Sequence, residues 1–200
     1  MTLLEDRAEE TFRERSIPVL ETERLVLRAP KLEDVDAIAL LANDLRVARN
    51  TLRIPHPYRP ADAEAFVASV NAGARERAFA IALDGGTVIG CCGIALLDGA
   101  TPELGYWLGA PYWGQGYATE AARAVTDHGF ADLGFDQLVA GARVSNPASR
   151  RVLEKCGFQW TGVGLYRIRS IASSAPADRF RLDRGLWTSL KEWARARQVA

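Results

Sequence analysis

Apolar and polar side chains alternate through Arg24-Leu25-Val26-Leu27-Arg28, the pattern of a half-buried strand. Leu32, Val35, Ile38, Ala39 and Leu41 then recur near the helical period. The proline-rich run Ile54-Pro55-His56-Pro57-Tyr58-Arg59-Pro60 breaks that period and reads as a loop, and a second helix is expected over residues 62–75. Strand patterns over residues 79–83 and 87–97 flank Asp84-Gly85-Gly86, a composition suited to a hairpin turn. A third strand is expected over residues 103–108, a loop over 109–115, and a helix over 116–133 with Ala118, Ala121, Ala122 and Val125 on one face. Residues 137–144 read as a strand. Residues 146–156 read as a helix with Asn146 as N-cap, Pro147 at the first turn and Gly157 just past its end. Two more strands, 158–169 and 180–183, are separated by a Ser/Ala/Pro linker, and a closing helix over 186–197 carries Leu186, Leu190 and Trp193 on one face. Hairpins come first and a strand–helix–strand crossover second. That order predicts an α/β (α+β) fold with one mixed sheet of about seven strands. A charged, helical arm over residues 1–19 would precede a single domain over residues 20–200.

Composition narrows the function. The 200 residues, 48% hydrophobic and 25% charged, suit one globular domain with a sizeable core. Lys and Arg total 25 against 25 Asp and Glu, so the surplus of basic charge that nucleic-acid binding needs is absent. No run of residues has the length and apolarity of a membrane span, and the charged start is unlike a signal peptide. The three cysteines include the adjacent Cys91 and Cys92, which does not suit a disulfide framework. His56 and His128 share no zinc-ligand spacing with a cysteine. The expectation is a cytoplasmic protein with no metal, no nucleic-acid partner and no membrane partner.

The segment Trp113-Gly114-Gln115-Gly116-Tyr117-Ala118-Thr119 lies between a predicted strand and a predicted helix. The first turn of a helix leaves backbone N–H groups unpaired and carries partial positive charge. Gly114 and Gly116, without a Cβ, let an anion approach the main chain, and Thr119 adds a hydroxyl. A tight turn whose glycines serve only the backbone explains the same spacing. A Rossmann loop fits poorly, because Thr119 stands where a third glycine would be and the preceding strands pair as hairpins.

The flanking residues add a family resemblance. Trp113 to Ala121 resembles motif A of the GNAT superfamily of acetyltransferases, and Glu103-Leu104-Gly105-Tyr106-Trp107-Leu108 resembles the strand before it. Asn146-Pro147-Ala148-Ser149-Arg150-Arg151-Val152-Leu153-Glu154-Lys155-Cys156-Gly157-Phe158 resembles the family's later helix. Glu21-Thr22-Glu23-Arg24-Leu25-Val26-Leu27-Arg28 is similar to the first strand of the RimJ/RimL-like branch. The resemblance implies a mostly antiparallel sheet, splayed at a cofactor cleft and flanked by helices. It implies acetyl-CoA as co-substrate, with its pyrophosphate on the backbone of Gly114, Gln115, Gly116, Tyr117, Ala118 and Thr119. Trp107, Leu108 and Gly109 would face the pantetheine arm, joined by Asn146, for which N-capping is an equal explanation. Strand alternation would make one of Tyr106 and Trp107 core and turn the other to the cleft.

The implied reaction is direct attack of a primary amine, from a small molecule or a protein N-terminus, on the thioester within a ternary complex. The tyrosine that protonates the departing thiolate in many members aligns with Leu153, and Ser149, one turn earlier, is the substitute acid. The proton of the amine needs an acceptor. Glu103 at the start of the cleft strand and His56 in the proline-rich loop are the candidates, with Asp178 and Tyr166 behind them. A Glu common after the Gly-Phe pair in RimL-like members is Thr161 here. The missing groups leave a second reading open, a non-catalytic acyl-CoA-binding or sensing module. Cys91 and Cys92 read as core, the Trp187/Trp193 tail as core or dimer surface, and a homodimer is compatible with the resemblance.

Overall fold

The computed structural model describes residues 16–73, 76–97 and 101–199. Residues 1–15 of the helical arm expected over residues 1–19 lie outside them, and residues 16–19 are not helical. Eight strands form one sheet: β1 Leu20–Glu21, β2 Leu25–Arg28, β3 Glu76–Leu83, β4 Val88–Leu97, β5 Thr101–Leu108, β6 Gln137–Arg143, β7 Gln159–Ile168 and β8 Ser173–Asp183. Their spatial order is β1-β2-β3-β4-β5-β6-β8-β7, and every neighbouring pair except β5/β6 is antiparallel. The helices are α1 Val35–Ala42, α2 Leu45–Ala48, α3 Pro60–Asn71, α4 Tyr117–Ala131, α5 Pro147–Lys155 and α6 Arg184–Val199.

The mixed sheet matches the expectation, with three differences. β1 is a two-residue pairing of Leu20 with Leu27 and Glu21 with Val26, too short to leave a periodic trace. Residues 173–179, expected as a linker, are the first part of β8. Their buried side chains are the small Ala175 and Ala177 and the polar Asp178, none with a strong strand preference. Pro176 fits there because its carbonyl accepts from the Val144 amide (3.2 Å). The third difference is α2, one short turn whose N-cap Asp44 accepts from the Arg46 amide at 2.8 Å.

Helices cover both faces of the sheet. On one face Ala121, Val125 and Phe130 of α4, Leu153 of α5 and Phe180 of β8 form the larger core. On the other, Ile38 and Ala42 of α1 and Ala63 and Val67 of α3 pack over Ala80 and Cys91. The neighbouring cysteines are divided between these cores, Cys91 in one and Cys92 in the other. Burial pushes both thiols well above the ordinary range, so neither supplies a thiolate. The inner face of α6 differs from the expected stripe. Trp187 stacks on Phe130 at 5.2 Å and donates to Asp127 at 2.8 Å, whereas Trp193 is 61% exposed. The position of α4 selects that face. Among the described residues no helix is long and apolar enough to cross a membrane.

Parallel pairing of β5 with β6 is limited to Glu103 with Val139 and Leu104 with Ala140. Beyond Leu104 the strands part, while β5 stays paired to β4 as far as Leu108 opposite Gly90. The splay implied by the resemblance is therefore present. It opens toward the N-terminus of α4.

Candidate active site

The direction of main-chain groups along β5 follows from one bond. The Gly109 amide donates to Ile89 O at 2.9 Å, toward β4. Strand alternation then turns the amides and carbonyls of Leu108 and Tyr106 toward the gap. The Leu108 carbonyl is met by the Trp113 indole N–H at 2.8 Å, which leaves its amide facing the gap. Gly109, a sequence-level candidate for cofactor contact, is buried in the sheet instead. A Cβ there would stand 2.5 Å from the Leu41 side chain, so close approach to α1 explains this glycine.

Past the gap the chain makes a short turn at Ala110–Tyr112 and enters α4 through Gly114 (φ 77°) and Gly116 (φ 86°). Both φ values lie in the left-handed region that L side chains rarely adopt. The amides of Gly114, Gln115, Gly116, Tyr117 and Ala118 have no protein acceptor among the described residues, whereas Thr119 and Glu120 already bond to Gly116 O at 3.0 and 3.1 Å. Free amides at the start of a fifteen-residue helix are the kind of end that suits an anion.

A latch from the other end of the sequence holds that turn. Glu120 accepts from the Thr22 hydroxyl (2.7 Å), the Arg24 amide (2.9 Å) and Arg24 Nε (2.8 Å), and Arg24 Nη2 lies 2.6 Å from its second oxygen. Arg24 Nη1 donates to Gln115 O at 3.0 Å, and the guanidinium sits 4.6 Å from the Tyr117 ring centroid. Burial alone would raise the Glu120 pKa, but the bonds from Thr22 and Arg24 outweigh it and hold the carboxyl below its ordinary value. Thr22, Arg24 and Glu120 were not singled out from sequence, and no local signal joins groups some 96 positions apart.

Across the gap, Asn146 caps α5 by accepting from the Ser149 amide at 3.2 Å. The Ser149 hydroxyl lies 2.8 Å from the Tyr106 hydroxyl, which also reaches Ser149 O at 3.0 Å. Leu153, where the resemblance places an acidic tyrosine, is fully buried in the larger core. Tyr106 and Trp107 do not divide into core and cleft. Each packs against a different core, and both border the cleft, because the parted strands expose both faces of β5.

A cleft of about 890 Å³ joins these features. Its walls include Trp107, Leu108, Gly114, Gly116, Tyr117, Ala118, Thr119, Asn146 and Ser149 at one end and Glu103 and Tyr166 at the other. Gln115 faces away; its carbonyl is held by Arg24 and its amide group donates to Pro111 O at 3.3 Å. Burial raises the Glu103 pKa, and Arg53 partly offsets the rise. Arg53 itself forks onto Glu76 at 2.7 and 2.8 Å. Gly141 leaves space beside Glu103, since a Cβ there would meet Glu103 Oε1 only at 3.8 Å. His56 is exposed and outside the cleft wall, so the structure does not bring this candidate base to the site. Asp178 is buried against Trp160 Nε1 (2.8 Å) and Arg150 (3.6 Å), also outside the wall. Among the described residues no cluster of His, Cys, Asp and Glu could hold a metal ion.

Comparison with known proteins adds to this geometry. The acetyltransferase (GNAT) domain family matches residues 24–159. The N-acetyltransferase p20 of Bacillus licheniformis is 31% identical over 150 residues, covering 72% of this chain and 84% of its own length. A GNAT-family acetyltransferase from Bacillus anthracis superposes with a TM-score of 0.72 at 25% identity, over 83% of this chain and 98% of its own. Mycobacterium smegmatis RimJ, solved in complex with CoA-disulfide, has a TM-score of 0.72 at 20% identity, over 86% and 88% of the two chains, a likeness of fold.

Proposed function

Because the chain belongs to the GNAT family of acetyltransferases, we propose that it transfers the acetyl group of acetyl-CoA to a primary amine, on a small molecule or a protein N-terminus, by direct attack. One observation carries the reading. The gap between β5 and β6 runs to the row of unpartnered amides at the start of α4. A long ligand with a phosphate-bearing end and a thin arm suits that shape, and the RimJ complex with CoA-disulfide supports the same ligand class for this fold.

The residues fit acetyl-CoA without rearrangement of the turn. The amides of residues 114–118 and the Thr119 hydroxyl would take the pyrophosphate, supported by the helix dipole. The Leu108 amide and the Asn146 side chain would hold the pantetheine arm. Bound there, acetyl-CoA supplies an activated thioester carbonyl. Glu103 takes the amine proton, directly or through cleft water, and its burial brings its pKa toward the range useful to a base. Ser149, beside the arm, gives a proton to the departing sulfur.

The test follows free thiol while the protein is mixed with acetyl-CoA and a panel of amines and N-terminal peptides. Amine-dependent thiol release is expected. Tight CoA binding with no turnover on any acceptor would replace the enzyme by a non-catalytic acyl-CoA sensor.

A further inference from the structure

Ser149 by itself is a poor acid, because losing its proton leaves an alkoxide. A phenol is a stronger acid than an aliphatic hydroxyl, an advantage that burial narrows at Tyr106. Tyr106 places such a phenol 2.8 Å from Ser149 Oγ and 3.0 Å from Ser149 O. One O–H therefore has two acceptors, and which it chooses decides what Ser149 can do. With the phenol donating to Ser149 O, the serine proton turns back toward Tyr106. With the phenol donating to Ser149 Oγ, the serine proton is released toward the cleft. The Asn146 side chain fixes the Ser149 amide, so this choice needs only rotation of two hydroxyls.

We propose that Tyr106 is the proton source behind Ser149, so that the acid of this site is a tyrosine–serine relay from β5 to α5. The proposal rests on Ser149 as the group at the sulfur. As the C–S bond breaks and its electron pair moves to sulfur, Ser149 gives its proton there and takes the proton of Tyr106. The phenolate so formed recovers a proton through cleft water from Glu103, which took it from the attacking amine, so one proton passes in net from amine to sulfur. Burial raises the Tyr106 pKa and the Ser149 bond works against that rise. The ring thus keeps its proton until Ser149 draws on it. The relay makes good the absence of a hydroxyl at Leu153, which is closed inside the core. Tyr106 acts through Ser149 and is a positioning residue.

Tyr106→Phe, Ser149→Ala and the double variant test this by turnover and by calorimetry with CoA and desulpho-CoA. Tyr106→Phe should lower kcat by about tenfold or more, as loss of a general acid does, with KM for acetyl-CoA within about twofold. The double variant should fall no more than about threefold below the worse single one, because the two hydroxyls act as a unit. Wild-type protein should bind CoA about two- to tenfold more tightly than desulpho-CoA, the effect of one hydrogen bond to sulfur, and Ser149→Ala should lose that preference. Wild-type kcat in Tyr106→Phe, multiplicative defects, or a defect confined to CoA affinity would overturn the relay. If wild-type protein releases no thiol with any amine, the transferase reading fails. The calorimetric arm then still decides the relay: a CoA preference that survives Ser149→Ala overturns it.

Discussion

The two ends of the cleft are built from different materials. The proposed cradle is main chain: two left-handed glycines and a row of amides at a helix start, closed within residues 113–119. The acceptor end is side chain: Glu103 from β5, Arg53 from the loop after α2, Glu76 from β3 and Tyr166 from β7. The cradle works through groups every residue carries, so its chemistry is set by φ and by helix position. The acceptor end works through which side chains meet, and those come from four separate segments. A backbone site keeps its ligand while its side chains vary. A side-chain site alters its substrate with each loop.

The largest effect that would break this contrast is at Gly116. Glu at this position forces a left-handed φ on a bulky residue and puts a carboxylate on the anion site, and its Cβ would lie 3.3 Å from Arg24 Nη2. Loss of two charge-assisted bonds corresponds to roughly a hundredfold or greater fall in CoA affinity, measured by calorimetry, with the fold retained. Unchanged affinity would remove the cradle assignment. At the other end, Glu103→Gln should lower kcat on the order of a hundredfold with CoA affinity intact. The wild-type base must be ionised to act and its pKa is raised, so activity should rise with pH on a limb above the ordinary carboxylate value of 4.5. Arg53→Gln removes the offsetting charge and should move that limb further upward. A limb that ignores Arg53 would place the base elsewhere.

Smaller effects test whether the backbone cradle is autonomous. Arg24→Met removes the latch on Gln115 O and Glu120, and should raise KM for acetyl-CoA several-fold with kcat nearly unchanged, the mark of a group that shapes binding alone. A fall in kcat at constant KM would mean that the latch reaches the chemistry. The smallest effect is in acid. The Glu120 pKa is depressed in the folded protein, so its contribution to stability is complete above about 4.5 and is lost as pH falls through the lower folded value. Melting curves of wild type and Glu120→Gln should differ near neutrality and converge in acid; a constant difference would detach Glu120 from the latch.

The order of elements was legible because each rests on a local rule: period 2 along β2, Asp84-Gly85-Gly86 at the β3/β4 turn, Asn146-Pro147 at the start of α5 and Gly157 at its end. The first half of β8 was not, since Ala175, Pro176 and Ala177 are strand only because β7 pairs with all three and β6 with Ala177. The glycine turn by itself read only as a generic anion site or a tight turn, and it was the family resemblance that made it a cofactor cradle and singled out Ser149. His56 stood out by residue type, and the fold leaves it exposed within a proline-rich loop and off the cleft wall.

By itself the sequence determined where most strands and helices lie, which turn has left-handed glycines, and hence where an anion can meet bare amides. These are short-range properties of φ, of side-chain period and of unpaired N–H groups. Only the tertiary structure decided that Gly109 serves packing against Leu41, that Arg24 and Glu120 brace the cradle, and that Tyr106 stands behind Ser149. Each of those pairings joins residues 43 or more positions apart or, for Gly109, a helix and a strand from separate segments. Contacts at such separation depend on how β5 parts from β6 and on which helix covers which face, and no local pattern encodes either.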